Sequence, residues 1–385
     1  MDTNKWTVKL TLLLVSSLTI MSVITISPAL PEMTRVFSYV GHAGFLVKLV
    51  LTLPALMIAI CSPIAGRLID RYGRLRILWA SLILYAVSGS SGYLLNNLYY
   101  ILLSRAVLGI SVGMSMTIVI TLIADYFDGM ERQKFVGLQI AFMSLGGIIF
   151  IGLGGILADI GWRYPFLIYL FSLLVLPPAI IFLVEPPVID KTNPITQNVK
   201  SPPIIWMLFI NTMLMWIIFF LIPVHIPFYL KVIGVEKNSL IGAAIAMSTV
   251  FSAISSFSYS KIKDHLSFFS VFSIGYLLMA AGFVCIAVSG TYTVVVAGII
   301  LSGLGMGMII PNTNVWVMRL APPQIRGKEI GKLTTFWFLG QFLSPIVLFP
   351  VLNTLSLPST FMLASFSLFL LSAGFMILNF SSLGR

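Results

Sequence analysis

The chain has 385 residues, of which 58% are apolar and only 9% charged, against roughly a quarter charged in soluble proteins. That composition excludes a soluble globular fold. The charges are 23 basic and 12 acidic, clustered between uncharged stretches about as long as the roughly 20 residues a helix needs to cross a bilayer.

In chain order, charge-free runs cover residues 10–31, 49–66, 135–158, 164–184, 201–230 and 238–260, each predicting one helical crossing. The longer runs 77–124, 266–319 and 333–384 each predict two, with turns at 88–97, 289–291 and 353–359 where Gly, Asn, Ser and Pro interrupt the pattern. The sum is twelve spans, so the expected fold is an all-α polytopic membrane protein. Backbone groups in lipid must be bonded inside their own helix, which excludes open sheets. The first run follows Lys5 and Lys9 and could open a signal peptide. Its roughly 22 apolar residues exceed a usual signal core, and no A-x-A site closes it, so a retained helix is expected.

With twelve crossings both termini share a side. Arg35, Lys48, Arg163, Lys231 and Lys237 fall on the opposite side and Arg105 inside the membrane, which leaves 17 of the 23 basic residues on the side of the termini. The positive-inside rule then places both termini in the cytoplasm. It also accounts for the net charge of +11 without a nucleic-acid partner. Cys61 and Cys285 lie inside apolar stretches, which argues against a disulfide framework or a metal site. His42, His225 and His265 are scattered, and no Gly-Lys-Ser/Thr phosphate loop occurs. Nothing therefore points to an enzyme, a cofactor or ATP-driven transport.

Shifting the chain by 194 residues aligns Asp70 with Asp264, Gly109 with Gly303, Gly113 with Gly307, Met114 with Met308, Arg132 with Arg326, Lys134 with Lys328, Gly137 with Gly331 and Gly146 with Gly340. The expected organisation is two six-helix pseudo-repeats, 1–184 and 204–385, joined by a Pro-containing cytoplasmic linker at 185–203. Parallel repeats of this kind mark one class of transporter.

Between the second and third spans stands Gly66-Arg67-Leu68-Ile69-Asp70-Arg71-Tyr72-Gly73-Arg74-Leu75-Arg76. Glycines permit the sharp turn, and a carboxylate there can pair with basic groups or a helix N-terminus. Such contacts can latch one state of a moving protein; the alternative is that the arginines only set topology. The turn resembles the signature loop of the major facilitator superfamily, G-x-L-x-D-R-x-G-R, at Gly66, Leu68, Asp70, Arg71, Gly73 and Arg74. The second half keeps a decayed copy, Ser260-Lys261-Ile262-Lys263-Asp264-His265. Ser104-Arg105 through Gly109 and Gly113 resembles the R-x-x-x-G-x-x-x-G motif of that superfamily's exporters, in which the arginine is implicated in proton coupling. Ser27-Pro28-Ala29-Leu30-Pro31 is similar to a segment of its drug/proton antiporter branch. Where that branch has Gly-Pro in the fifth span, this chain has Phe150-Ile151. Gly161-Trp162-Arg163-Tyr164-Pro165-Phe166 resembles a further common turn.

The resemblance implies a monomeric carrier in the cytoplasmic (inner) membrane, embedded in lipid and handling a small-molecule substrate together with protons. Its two halves would rock about a midplane site. Gly66, Asp70, Arg71, Gly73 and Arg74 would form the conformational latch. The first, fourth, seventh and tenth spans, with parts of the fifth and eleventh, would face the cavity. Arg105, Gln139, Asn211, Trp216, Asn312, Asn314 and Gln341 are then the expected substrate contacts, with interhelical hydrogen bonding as the alternative role for each. Arg105 is an intramembrane charge and so a functional candidate in its own right. Glu32 and His225 are the other candidates for coupling, since deep acids are otherwise missing. Pro311 with Asn312 and Asn314 predicts a local break in the tenth helix. The expected task is proton-coupled efflux of an amphipathic drug or metabolite by alternating access. Uptake or exchange of an organic anion is the second reading, and a non-transporting receptor the third.

Overall fold

The structure is a computed structural model and describes residues 5–186 and 201–383, apart from the side chains of Arg67, Asp70 and residues 381–383. The predicted linker at 185–203 lies, for residues 187–200, outside them. Among the described residues every regular element is helical: α1 (Trp6–Ile24), α2 (Leu30–Val36), α3 (Ala43–Tyr72), α4 (Arg74–Ser90), α5 (Leu98–Tyr126), α6 (Gly129–Ile160), α7 (Phe171–Phe182), α8 (Pro203–Phe219), α9 (Leu221–Val232), α10 (Asn238–His265), α11 (Phe268–Val288), α12 (Tyr292–Leu320), α13 (Arg326–Thr354) and α14 (Leu357–Leu383). Short 3₁₀ turns join some of them, the longest running from Tyr164 to Leu170 ahead of α7.

Eleven stretches among the described residues are long and apolar enough to cross a membrane. The remaining predicted span, the third, is α4, with 17 residues, at the lower limit of roughly 17 that a bilayer accepts. The turns expected at 88–97, 289–291 and 353–359 coincide with the α4–α5, α11–α12 and α13–α14 connections.

The chain divides into two compact units, Met1–Asn198 and Val199–Arg385. Each packs its helices in the same pairs. In the first unit α3 packs on α5, α4 on α5, α1 on α6 and α4 on α7; in the second α10 packs on α12, α11 on α12, α8 on α13 and α11 on α14. The repeat offset survives at atomic detail. A Cβ on Gly109 would lie 2.4 Å from the Pro54 carbonyl oxygen, and one on Gly303 would lie 2.4 Å from the Ser248 carbonyl oxygen. Residues 54 and 248 are themselves 194 apart, as are 109 and 303. These glycines let one helix lie directly against the backbone of its neighbour, the contact that drives helix association in lipid.

The helix break predicted in the tenth span is not found. α12 runs unbroken through Pro311, and the Asn314 side chain donates to the Ile310 carbonyl one turn back, at 3.1 Å. Proline removes a single backbone donor, which a long helix packed on its neighbours tolerates. Breaks occur instead in the first span, between Ile24 and Leu30 around Pro28, and in the seventh, at Phe220 ahead of Pro223. These two interruptions are themselves repeat-related.

Gly303→Ala should lower the melting temperature of the purified protein, by about 1–3 kcal/mol of overpacking. Gly152→Ala, with nothing within 4 Å of its Cβ position, should leave it unchanged. Equal melting temperatures for the two variants would contradict the close crossing.

Candidate functional site

The signature turn closes α3 onto α4 at Gly73, whose φ of +87° lies in the region that a side chain disfavours. The Gly73 amide donates to the Ile69 carbonyl at 3.0 Å. Arg74 then opens α4, and its Nε lies 2.7 Å from Asp125 Oδ2 at the end of α5. The carboxylate of Glu185, just past α7, accepts hydrogen bonds from the backbone amides of Arg74 and Leu75 at 2.7 and 2.8 Å. It therefore occupies the positive end of the α4 dipole, an anion site by construction. Tyr126 accepts from the Val184 amide at 2.9 Å and donates to the carbonyl of the same residue. One cluster thus ties together the ends of α3, α4, α5 and α7. Arg71 lies over the Tyr72 ring at 5.2 Å, and Gly66 has open space around it. The Asp70 side chain lies outside the described residues.

The second unit builds the same corner with different chemistry. The 194-residue offset carries Arg74 to Phe268, Asp125 to Arg319 and Glu185 to Asn379. The Arg319 guanidinium sits 5.3 Å from the Phe268 ring centroid, and the Lys263 ammonium 4.1 Å from it. Asn379 accepts a hydrogen bond from Ser267, the residue that caps α11. An ion pair in one half is a cation–π contact in the other, with the positive charge moved to the opposite partner. Asn312 braces this corner: it accepts from the Tyr259 hydroxyl at 3.1 Å and donates to the Phe268 carbonyl at 3.0 Å.

Arg105 lies two turns into α5 and is fully buried, at 0% exposure. Its Nη2 donates to the Ser88 carbonyl at 3.0 Å and to the Gly89 carbonyl at the end of α4. The guanidinium packs over the rings of Phe166 and Tyr169, at 4.8 and 4.9 Å. Both rings fit because of glycines: a Cβ on Gly92 would meet Phe166 at 2.1 Å and one on Gly89 would meet Tyr169 at 2.4 Å. Nε and Nη1 meet no well-aligned acceptor, the Tyr169 hydroxyl lies within polar reach of the guanidinium, and no carboxylate among the described residues pairs with this cation.

The other expected site residues separate into two groups. Gln139 donates to the Ser16 hydroxyl at 2.9 Å, Asn211 accepts from the Tyr276 hydroxyl at 2.9 Å while its Nδ2 is left unpaired, and Asn312 and Asn314 are bonded as described above. Glu32, in α2, faces Arg35 at 3.8 Å, and His225, in α9, is buried. Trp216 and Gln341 behave differently. The indole nitrogen of Trp216 and the Oε1 of Gln341 are buried without a hydrogen-bond partner. Trp337, which the sequence reading missed, stands 5.7 Å from Trp216 ring to ring, and its own indole nitrogen is also unpaired. The available signal was its position four residues before Gln341, which puts both on one helix face. Asp125 and Glu185 were missed as partners of the signature turn, although an acid at a span end beside an arginine-rich turn is the expected complement.

Breaking the Arg74–Asp125 contact from either side should test its contribution. Arg74→Gln and Asp125→Asn should each cost about 1–3 kcal/mol, and a double-mutant cycle should give a coupling of about 1 kcal/mol or more. Additive effects in thermal unfolding would show that the pair contributes nothing as a pair.

Residues 12–345 match the sequence model of the Major Facilitator Superfamily. The chain is 26% identical over 350 residues to the bacillibactin exporter of Bacillus subtilis, covering 83% of each chain. It is also 26% identical over 320 residues to the quinolone resistance protein NorA of Staphylococcus aureus, covering 80% of this chain and 81% of that one. The crystal structure of a D-xylose-proton symporter superposes on it with a TM-score of 0.75 at 17% identity, covering 94% of this chain and 97% of that one. With the repeated six-helix packing and the signature turn, these matches establish that this multi-pass membrane protein belongs to the Major Facilitator Superfamily of transporters.

Proposed function

We propose that the protein is a proton-coupled exporter of a small amphipathic compound, working as a monomer in the cytoplasmic membrane with both termini inside. The single observation that carries this reading is Arg105. A guanidinium at 0% exposure with only carbonyl and aromatic neighbours is costly in hydrocarbon, where a charge is normally paired. It supplies the positive charge that a substrate anion or a change of protonation elsewhere would modulate. Export is supported by the two relatives matched over 83% and 81% of their own length, one named an exporter and the other a resistance protein.

In this reading the carrier alternates access by a rocking motion of its halves. Arg74, Asp125 and Glu185, with Gly66, Asp70, Arg71 and Gly73, form the cytoplasmic latch of the first half. Arg105 is the coupling or substrate-charge group, and Glu32 and His225 are the titratable groups that could exchange protons. Trp216 and Gln341 are the favoured substrate contacts, joined by Trp337, because their polar atoms are unpaired. Gln139 and Asn312 hold helices together through the bonds they already make, Asn314 bonds within its own helix, and Asn211 ties α8 to α11 through Tyr276 while keeping its Nδ2 unpaired. Exchange of an organic anion is the second reading, favoured by the same unneutralised arginine.

Proteoliposomes holding a trapped pH dye would be challenged with lipophilic cations, neutral drugs, sugars and organic acids. The expected result is a proton flux driven by amphipathic compounds and absent from empty vesicles. Arg105→Ala should reduce that flux by about tenfold or more, the effect of losing one interaction of roughly 1.4 kcal/mol. A flux driven only by organic acids would select the exchange reading, and an unaltered flux in Arg105→Ala would remove the arginine from the mechanism.

A further inference from the structure

The duplicated corner carries opposite charge in the two units. In the first, the Glu185 carboxylate gives one oxygen to the Arg74 amide and the other to the Leu75 amide, and stands 3.8 Å from the Arg74 guanidinium. Asp125 is the second acid there. The 194-residue offset carries Glu185 to Asn379 and Asp125 to Arg319, so the second corner has neither acid and one more cation. Its Lys263 ammonium and Arg319 guanidinium lie 4.1 and 5.3 Å from the centroid of a single ring, Phe268. Each cation closes its own helix, α10 or α12, where the helix dipole favours it, but two like charges around one ring repel each other. Neither forms an ion pair among the described residues. Asp264 is exposed and follows Lys263 directly on α10, where successive side chains diverge.

At this point α11 begins. Ser267 caps it by accepting from the Ser270 amide at 3.0 Å. The amides of Phe268 and Phe269, at the positive end of this 21-residue helix, meet no acceptor among the described residues. They occupy the register of Arg74 and Leu75, the two amides that Glu185 holds in the first unit. That unit therefore shows what the register binds, an oxyanion, and the second unit supplies none of its own. Two cations call for a dianion, and two amides for two of its oxygens. A phosphate monoester carries a charge of about −1.5 to −2 at pH 7 and has three terminal oxygens. Arginine meets such a group as a fork of donors and lysine as a point charge.

We propose that Lys263, Arg319 and the first amides of α11 form a binding site for a phosphate monoester, the group carried by a phosphatidic acid headgroup and by inorganic phosphate. The bound anion takes the place that Glu185 fills in the first unit and neutralises the two cations around Phe268. Nothing in the site depends on what the protein transports, and its occupancy is measured without transport.

The full-length protein in phosphatidylcholine nanodiscs is titrated with inorganic phosphate at constant ionic strength, and compared with nanodiscs that also contain phosphatidic acid. A ligand that binds only the folded state raises the melting temperature in a saturable way. A rise with phosphatidic acid alone assigns the site to the headgroup, and a rise with inorganic phosphate in phosphatidylcholine assigns it to the free ion. Lys263→Gln and Arg319→Gln should each weaken the apparent affinity by about tenfold, the effect of one charge-assisted hydrogen bond. Asn379→Asp returns a carboxylate to the register of Glu185, keeps the Ser267 hydroxyl as its donor, and should abolish the response. Lys328→Gln, exposed on α13, removes the same charge elsewhere and should bind as the unaltered protein does. The proposal is overturned if neither phosphate source stabilises the protein, or if chloride at equal ionic strength does so equally. It is also overturned if Lys328→Gln weakens binding as much as Arg319→Gln, or if Asn379→Asp responds unchanged. Lys263 and Arg319 are not buried, so their variants keep the test readable even where Asn379→Asp fails to fold.

Discussion

Everything in this protein follows from the absence of water around its backbone. A chain in hydrocarbon has to bond each N–H and C=O within its own helix, so helices form first. They then have little hydrophobic reason to associate, because lipid tails are as apolar as their side chains. Association depends on how closely backbones approach. The crossings at Gly109 over Pro54 and at Gly303 over Ser248 meet that requirement at equivalent points of the two halves and fix which helices are neighbours.

The same constraint governs the polar side chains. Many serine and threonine hydroxyls in the spans donate to a carbonyl three or four residues back, as Thr11 and Ser16 do in α1 and Thr25 does just past its end. Asparagines in the second half bond to tyrosines on neighbouring helices. Against that background of satisfied groups, the unpaired atoms of Arg105, Trp216, Trp337, Gln341 and Asn211 are among the exceptions, together with Glu329 Oε2 near the start of α13. Structure alone gives no reason for the first four, which is why the functional reading rests on them.

Much of this was legible in the sequence. The spans were countable because the bilayer fixes their length, and the signature turn was recognisable because Gly66, Leu68, Asp70, Arg71, Gly73 and Arg74 match a known pattern at six positions, two of them glycines that a sharp turn requires. The repeat offset located the packing glycines before any coordinates. Side-chain direction was less accessible. Counting polar residues on the spans expected to face a cavity grouped Gln139, Asn312 and Asn314 with Asn211, Trp216 and Gln341, although only the last three keep unpaired polar atoms. Pro311 signalled a break that α12 does not make, since neighbouring helices hold it straight; the real interruptions, at Pro28 and ahead of Pro223, carried an equally plain proline signal. Glu185 was grouped with the linker because its role depends on the start of α4, more than a hundred residues away in sequence.

The duplicated corner shows how a fold can keep a joint while replacing its fastener. Arg74 and Asp125 meet as opposite charges, whereas Phe268 and Arg319 meet as ring and cation. An aligner scoring residue identity would count positions 268 and 319 as lost, yet the helices they join are still held at the same place. The two fasteners also differ in how far they meet the surrounding electrolyte. At 2.7 Å, well inside a Debye length of about 8 Å, and with side chains only 15% and 18% exposed, the Arg74–Asp125 pair is sheltered from mobile ions, whereas Arg319 on its ring is exposed. Two repeat-related halves thus present the same joint once as a sheltered charge pair and once as an open cation, an inherent asymmetry in how each meets its surroundings.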